Sequence, residues 1–366
     1  MKRILHVIAE LGVGGAEKVS MDLGLFMKRF GYDSHYIVFG ETVGEYEIIL
    51  KENHQTILHF DSPGNGYFRF FRQLLSLMRK YKYQVVHAHT MFNCGIVMLA
   101  ARMAGVPVRV SHAHSALLPE SNLLRGCYEH LMRILMFRCS TDLVACGLAA
   151  GKKLFGPKAL AHGCKVILNG VNLDAFRFQS DRRYFMRDKL GLNDSFVIGH
   201  SGRMVDVKNQ QFLVKLLPRI QQIRPDAKLL LLGDGEERPM IQTLINELEL
   251  NDSVVVPGTV LNVNDYLNCM DVFAFPSLYE GMPLSIIEVQ ANGLPCVLST
   301  GVPKDVYLTD LVTPLPLDKP EDWVEAICGA RRGEPENYAD ELKAKGFDTE
   351  TVMRKFLKIY ERADRN

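Results

Sequence analysis

The sequence predicts an α/β protein made of two parallel-sheet domains, and three observations lead there. Short apolar runs recur along the whole chain with helical stretches between most of them, and that alternation builds parallel sheets. The chain has 366 residues, more than the ~250 to 300 at which a single core stops growing. An Asn-Gly turn and a polar exit in KVILNGVNLDAF, residues 165–176, separate two such series. Domains are therefore expected over 1–168 and 169–348. The amphipathic segment 349–366 is expected to pack back on the first of them.

In the first series, ILHVIA (4–9) has the pattern of a buried strand. Leu11-Gly12-Val13-Gly14-Gly15-Ala16-Glu17 then leads into a helical pattern. A dinucleotide-binding loop needs a third glycine where Glu17 stands, so a nicotinamide site is disfavoured. Such a loop still lets backbone approach a phosphate or a sugar closely. HYIVFG (35–40), TILHF (56–60), QVVHAH (84–89) and VRVSHAH (108–114) continue the strands. Ligands of parallel sheets sit beyond the carboxyl ends of the strands, which is where His87, His89, His112 and His114 fall. His-x-His on a strand points both rings to one face, but no set of Asp, Glu or Cys stands nearby to complete a metal site. No metal is expected, and His114 is the best candidate to face a ligand cleft. Two helical stretches, 67–82 and 122–138, mix Arg and Lys with large apolar residues. They suit either ordinary packing or an anionic bilayer surface.

The second series opens with FVIGHSGRMVDVKNQQFLVKLL (196–217), a strand, a loop and a helix, with Gly202, Arg203 and Lys208 in the loop. A planar guanidinium fork and a point-charge ammonium there suit a diphosphate. A Gly-Asp-Gly turn follows the strand in KLLLLGDGEERPMIQTLINEL (228–248), and SVVVPGTV (253–260), DVFAFPS (271–277) and PCVLST (295–300) add strands. PSLYEGMPLSIIEVQANGLP (276–295) is the most informative stretch. Glu280 lies in a turn beside Gly281, Met282 and Pro283. Pro283 suits a first helical position, and Glu288 is expected about two turns into the helix, which Gly293 and Pro295 stop. A helix start favours an anion, and two carboxylates beside it suit sugar hydroxyls.

Composition bounds the possibilities. Lys and Arg exceed Asp and Glu by eight over residues 1–165 and fall short by seven over the rest, for a net charge of +1. The basic half suits anionic lipid or an acidic acceptor, or attraction between the halves. Nothing in this balance calls for a nucleic acid. The eight cysteines show no metal spacing and read as reduced core thiols. The apolar segment at the start is too short for a signal peptide, and no run reaches the ~20 residues of a membrane span. A cytoplasmic protein is expected.

Taken together, LGVGGAEK, VVHAHT, NGVNLDAF, SGRMVDVKN, LLLLGDGEE and PSLYEGMPLSIIEVQANGLP resemble the retaining glycosyltransferases of family 4. SHAHS and STDLVACGLAAGKKLFG resemble the members that build capsule and exopolysaccharide. The resemblance implies the GT-B architecture, two Rossmann-like domains facing each other across a cleft and closing over the donor. It implies a nucleoside-diphosphate sugar, a UDP-sugar before GDP-mannose, as donor, with no cofactor, and a glycan or lipid-linked acceptor. By the same resemblance Glu288 holds the ribose and Glu280 the transferred sugar, while Arg203 and Lys208 neutralise the diphosphate. Gly14 and Gly15 approach the donor phosphates, and His114, or else His112, lies near the reacting sugar. A sugar-nucleotide epimerase of the same architecture and a non-catalytic nucleotide-sugar-binding protein remain the alternatives at this stage.

Overall fold

The computed structural model describes residues 2–114, 123–332 and 337–364. Ser115 of SHAHS, Asn122 at the head of the second basic stretch and the last two residues of the final helical segment lie outside them. The chain divides into two compact units, one of Met1–Gly170 with Thr349–Asn366, the other of Val171–Asp348.

The first unit alternates strand and helix through β1 (Lys2–Val7), α1 (Gly15–Lys28), β2 (Tyr32–Phe39), α2 (Glu45–Glu52), β3 (Thr56–Phe60), α3 (Tyr67–Tyr81), β4 (Val85–Ala88), α4 (Cys94–Met103), β5 (Val108–Ala113), α5 (Leu123–Cys139), β6 (Asp142–Ala145), α6 (Leu148–Phe155) and β7 (Lys165–Val166). The strands pair in parallel in the order β3-β2-β1-β4-β5-β6-β7. The chain thus runs outward from β1 to one edge and returns to β4 on β1's other side. Such a reversal leaves a crevice at the carboxyl ends of the two central strands.

The second unit repeats the plan with α7 (Ser180–Lys189), β8 (Val197–Ser201), α8 (Gln210–Ile223), β9 (Lys228–Leu232), α9 (Arg238–Glu247), β10 (Val254–Gly258), α10 (Val263–Cys269), β11 (Val272–Phe275), α11 (Leu284–Ala291), β12 (Cys296–Ser299), β13 (Val312–Leu315), α12 (Pro320–Gly329) and α13 (Tyr338–Ala344). Its strands are parallel in the order β10-β9-β8-β11-β12-β13, so the reversal falls between β8 and β11. The central strands are buried on both faces, as KLLLL and VFAF are. A continuous apolar run is what two covering layers of helices require.

The last helix, α14 (Thr349–Tyr360), belongs to the first unit. Val352, Met353, Phe356, Leu357, Ile359 and Tyr360 form its buried stripe and join Ile4, Val19, Val85 and Val110 in one core. Arg362, just beyond it, pairs with the buried carboxylate of Asp142 on β6. Truncating a side chain from that stripe leaves a cavity, so Phe356→Ala should lower stability by about 3 to 5 kcal/mol. Exposed Lys355 on the same helix should tolerate alanine within about 0.5 kcal/mol. Urea unfolding of the two variants checks this, and equal midpoints would mean that the stripe carries no packing.

Of the eight cysteines, six are buried and Cys328 is half-buried, but Cys127 is exposed on α5. The expectation of a core thiol fails there because α5 turns that position outward. Burial pushes the thiols of Cys94, Cys146, Cys164, Cys269, Cys296 and Cys328 up, Cys146 to about 12.

Candidate active site

The chemistry of the second unit gathers where its strand order reverses. The loop after β8 carries Gly202, Arg203 and Lys208, and the loop after β11 carries Glu280, Gly281, Met282 and Pro283. Because β8 and β11 are neighbours, residues 72 positions apart meet. Lys208 Nζ lies 2.6 Å from Glu280 Oε1, and both side chains are largely buried, at 19% and 13% accessibility. The ammonium also sits 4.9 Å from the centre of the Phe275 ring at the end of β11. A paired charge over an aromatic face is held far more firmly than a solvated lysine.

Both loops are stitched in place by backbone. Leu278 N donates to Val207 O at 2.8 Å, and the Asn209 side-chain amide donates to Pro276 O at 3.3 Å. Gln210 anchors the first loop from below, its amide donating to Arg203 O at 3.0 Å. The Gly-Asp-Gly turn after β9 packs beside it. Gly233 has φ +129°, and a Cβ there would come within 2.1 Å of Gly202 O, so only glycine lets the two loops close up. Arg203 is exposed on this frame and Met204 beside it is buried.

Glu280 N donates to Gly301 O at 3.2 Å, which fixes the turn ahead of α11. The helix begins at Leu284, with Pro283 in the capping position before it rather than first in the helix. Glu288 is therefore the fifth helical residue, about one turn in rather than two. It is half-buried, and Gly293, with φ +68°, ends the segment.

His200 on β8 is a functional candidate that the sequence reading passed over. Its Nδ1–H donates to Ala274 O at 3.0 Å, so Nε2 carries the lone pair, buried and without a hydrogen-bond partner. That nitrogen lies 3.3 Å from where a Cβ on Gly202 would stand. Desolvation lowers its pKa to about 4, so the ring is neutral beside Lys208. A polar residue within an otherwise apolar strand was the available signal.

In the first unit the glycine loop after β1 places Gly14 at the cap of α1, in extended conformation, with Gly15 as the first helical residue. Nothing lies within 4 Å of where a side chain on Gly15 would begin. The amides of a first helical turn lack intrahelical partners and suit an anion. The neighbouring strand ends carry histidines. His6, which pairs in register with His87, joins His87, His89, His112 and His114 in one buried cluster, with His114 half-buried at its edge. Its ring nitrogens approach closely enough for two triads, His6-His87-His89 and His89-His112-His114, to offer ligands to a metal. Several of these nitrogens bond to each other instead, His87 Nε2 to His112 Nδ1 at 3.1 Å and His89 Nδ1 to His114 Nε2 at 2.8 Å. His87 Nδ1 meets Tyr360 Oη at 2.6 Å. Desolvation holds all five pKa values down, those of His6 and His114 to about 3.

Two Rossmann-like units, each a parallel α/β sheet with a strand reversal, are the domains of the GT-B fold. The family model for "Glycosyltransferase Family 4" matches residues 13–175, and that for "Glycosyl transferases group 1" matches residues 195–331. The putative glycosyltransferase EpsF of Bacillus subtilis is 31% identical over 98% of this chain and 96% of its own. A UDP-Gal:alpha-D-GlcNAc-diphosphoundecaprenol alpha-1,3-galactosyltransferase of Escherichia coli is 31% identical over 62% of this chain and 60% of its own. The crystal structure of Anabaena Alr3699/HepE in complex with UDP-glucose superposes with a TM-score of 0.77 at 19% identity, covering 100% of both chains. This chain belongs to glycosyltransferase family 4 and is a glycosyltransferase.

Proposed function

We propose that this enzyme transfers a sugar, with retention of anomeric configuration, from a nucleoside-diphosphate sugar to a glycan or lipid-linked acceptor during synthesis of a surface polysaccharide. The observation that carries the reading is the Lys208–Glu280 pair at the strand reversal of the second unit. Cleaving the bond between the anomeric carbon and the phosphate oxygen leaves negative charge on the diphosphate. Lys208, Arg203 and the amides opening α11 are the groups that would take up that charge. Glu280, released from Lys208 when the diphosphate arrives, accepts hydrogen bonds from hydroxyls of the transferred sugar. Glu288 does the same for the ribose, and the amides after Gly14 and Gly15 meet the donor phosphates. UDP is the first choice of nucleotide because HepE is described with UDP-glucose and the E. coli relative is named for UDP-Gal. That relative's named acceptor also supports a lipid-linked one.

Incubation with a panel of UDP- and GDP-sugars and a polyprenyl-diphosphate glycan should release nucleoside diphosphate in step with a longer glycan. An epimerised nucleotide sugar, or binding without turnover, would reject the proposal. No metal or other cofactor is assigned to the reaction, since Arg203, Lys208 and helix amides supply the positive charge that a divalent cation otherwise provides. Turnover should therefore persist in EDTA, and loss that magnesium or manganese restores would overturn the metal-independent reading.

A lipid-linked acceptor brings the enzyme to a membrane surface, and the first unit has features that suit one. Among the described residues no helix is long and apolar enough to cross a bilayer. On α3, however, Phe68 is 74% exposed beside Arg69, Arg72 and Lys80, which line a shallow cavity of about 570 Å³ with Phe60 and Leu77. A polybasic face gains about 1 kcal/mol per Lys or Arg near anionic lipid. Co-sedimentation with anionic vesicles should be strong at low salt and weak at high salt. It should also fall when Arg69, Arg72, Arg79 and Lys80 are changed to glutamine. Wild type left in the supernatant at low salt would favour a water-soluble acceptor.

A further inference from the structure

The histidines of the first unit are not merely neighbours. His6 on β1, His89 just after β4 and His114 just after β5 form a chain, with His6 Nδ1 3.3 Å from His89 Nε2 and His89 Nδ1 2.8 Å from His114 Nε2. Their ring centres are 5.6 and 5.0 Å apart, with interplanar angles of 24° and 31°. Each centre-to-centre distance is close to the nitrogen separation plus the reach of two ring nitrogens, so the rings meet edge to edge with nitrogens facing. This is hydrogen-bond geometry.

A neutral imidazole has one N–H and one lone pair, and burial keeps these three rings neutral. The chain therefore has only two consistent states. Either all three rings carry the proton on Nδ1 and each donates toward His114, or all three carry it on Nε2 and each donates toward His6. Any mixture sets two N–H groups, or two lone pairs, against each other. The ends decide between the two states. His6 Nε2 is fully enclosed beside the Tyr36 ring and has no partner. An orphaned buried N–H is rarer than an orphaned buried acceptor, so the unpaired N–H belongs at whichever end an outside acceptor can reach. At the other end His114 Nδ1 is also buried without a partner, but its residue is half-buried at the edge of the cluster, with its backbone held by the Cys146 thiol donating to His114 O at 3.3 Å, so this is the end that an outside acceptor can approach.

We infer that His6 and His89 are positioning residues that lock His114 in its Nδ1–H tautomer, making it an obligate hydrogen-bond donor toward an oxygen of the bound sugar or diphosphate. The role of that oxygen rests on the glycosyl-transfer reading; the tautomer lock does not. A neutral donor suits a site that must hold a hydroxyl or phosphate oxygen without taking its proton. With its other nitrogen fixed by His89, His114 cannot serve as a base without reversing two further rings.

Long-range ¹H–¹⁵N correlation spectra of histidine-labelled protein at pH 7 report the tautomer of each ring, with resonances assigned by replacing one histidine at a time. The expected result is Nδ1–H at His6, His89 and His114 alike; any other pattern overturns the lock. In His89→Phe, which keeps ring volume but removes both nitrogens, His114 should change from one tautomer to a mixture, and an unchanged His114 would equally refute it. Should that variant not fold, His6→Phe is read in the same way, since it frees the far end of the chain. On activity, His89→Phe should lower kcat with little change in KM for the donor. A locked His114 whose replacement leaves kcat unchanged would sink the glycosyl role of His114 while leaving the relay standing.

Discussion

Lys208→Met is expected to lower kcat by roughly a hundred- to a thousandfold while the protein stays folded. The figure follows from the place of the ammonium. Held against Glu280 and over the Phe275 ring, it is already immobilised and largely desolvated, so little reorganisation remains when charge develops on a leaving diphosphate. Losing one preorganised partner of that kind typically costs about 2.7 to 4 kcal/mol of transition-state stabilisation. Methionine keeps most of the stem and its packing, which separates loss of charge from loss of volume. Stability also bears on the comparison, because removing Lys208 alone leaves the Glu280 carboxylate largely buried without this partner. Lys208→Met with Glu280→Gln should therefore recover thermal stability relative to Lys208→Met, yet recover no turnover. Arg203→Ala should lower kcat in the same direction while changing stability little, since that side chain is exposed. Folded Lys208→Met with turnover within tenfold of wild type would remove Lys208 from the chemistry.

Most of the frame behind this expectation was legible in the chain itself. KLLLL became a strand over the stretch read for it, because a central parallel strand is a continuous apolar run bounded by turns, and TILHF did so as the half-exposed edge strand β3. The loops bearing Arg203, Lys208 and Glu280 were legible as well, from glycine and charge placed directly after strands. Their meeting was not, since it depends on β11 being laid beside β8 and spacing along the chain carries no record of strand order. The same blindness hid the histidine cluster. His87, His89, His112 and His114 drew notice as two His-x-His pairs, but His6 counted only as one polar residue in ILHVIA until register set it opposite His87. At α11 the pattern placed Pro283 inside the helix, whereas the chain delays the first turn by one residue and brings Glu288 nearer the helix start. Caps are fixed by local hydrogen bonding, which apolar periodicity does not encode.

That cluster should make the first unit acid-labile above the range in which carboxylates titrate. In the unfolded chain a histidine takes up a proton near pH 6.5. In the folded protein His6 and His114 do so only near pH 3, and His87, His89 and His112 are also held well below the ordinary value, in every case chiefly by desolvation. Between those limits the unfolded state binds more protons, so stability rises with pH across the window. The contribution is complete above pH 6.5 and is lost progressively as the pH falls toward 3. Each histidine removes about 1.4 kcal/mol per pH unit once below its unfolded pKa, so two of them cost about 2.7 kcal/mol for each unit. His59 works in the opposite direction, because its hydrogen bond to Glu47 raises its pKa, but it is one residue against six, since burial also lowers His35. Tyr36 and Tyr360, the titratable neighbours contributed by β2 and α14, stay protonated throughout, since burial pushes both phenols up. The melting temperature should thus fall steeply between pH 6.5 and 5, before most carboxylates protonate. His87→Phe should flatten that slope by removing one of the buried bases. A melting temperature unchanged across this window would mean that the cluster takes up protons as readily in the folded protein as in the unfolded chain, and the neutral hydrogen-bonded chain through His6, His89 and His114 would fall with it.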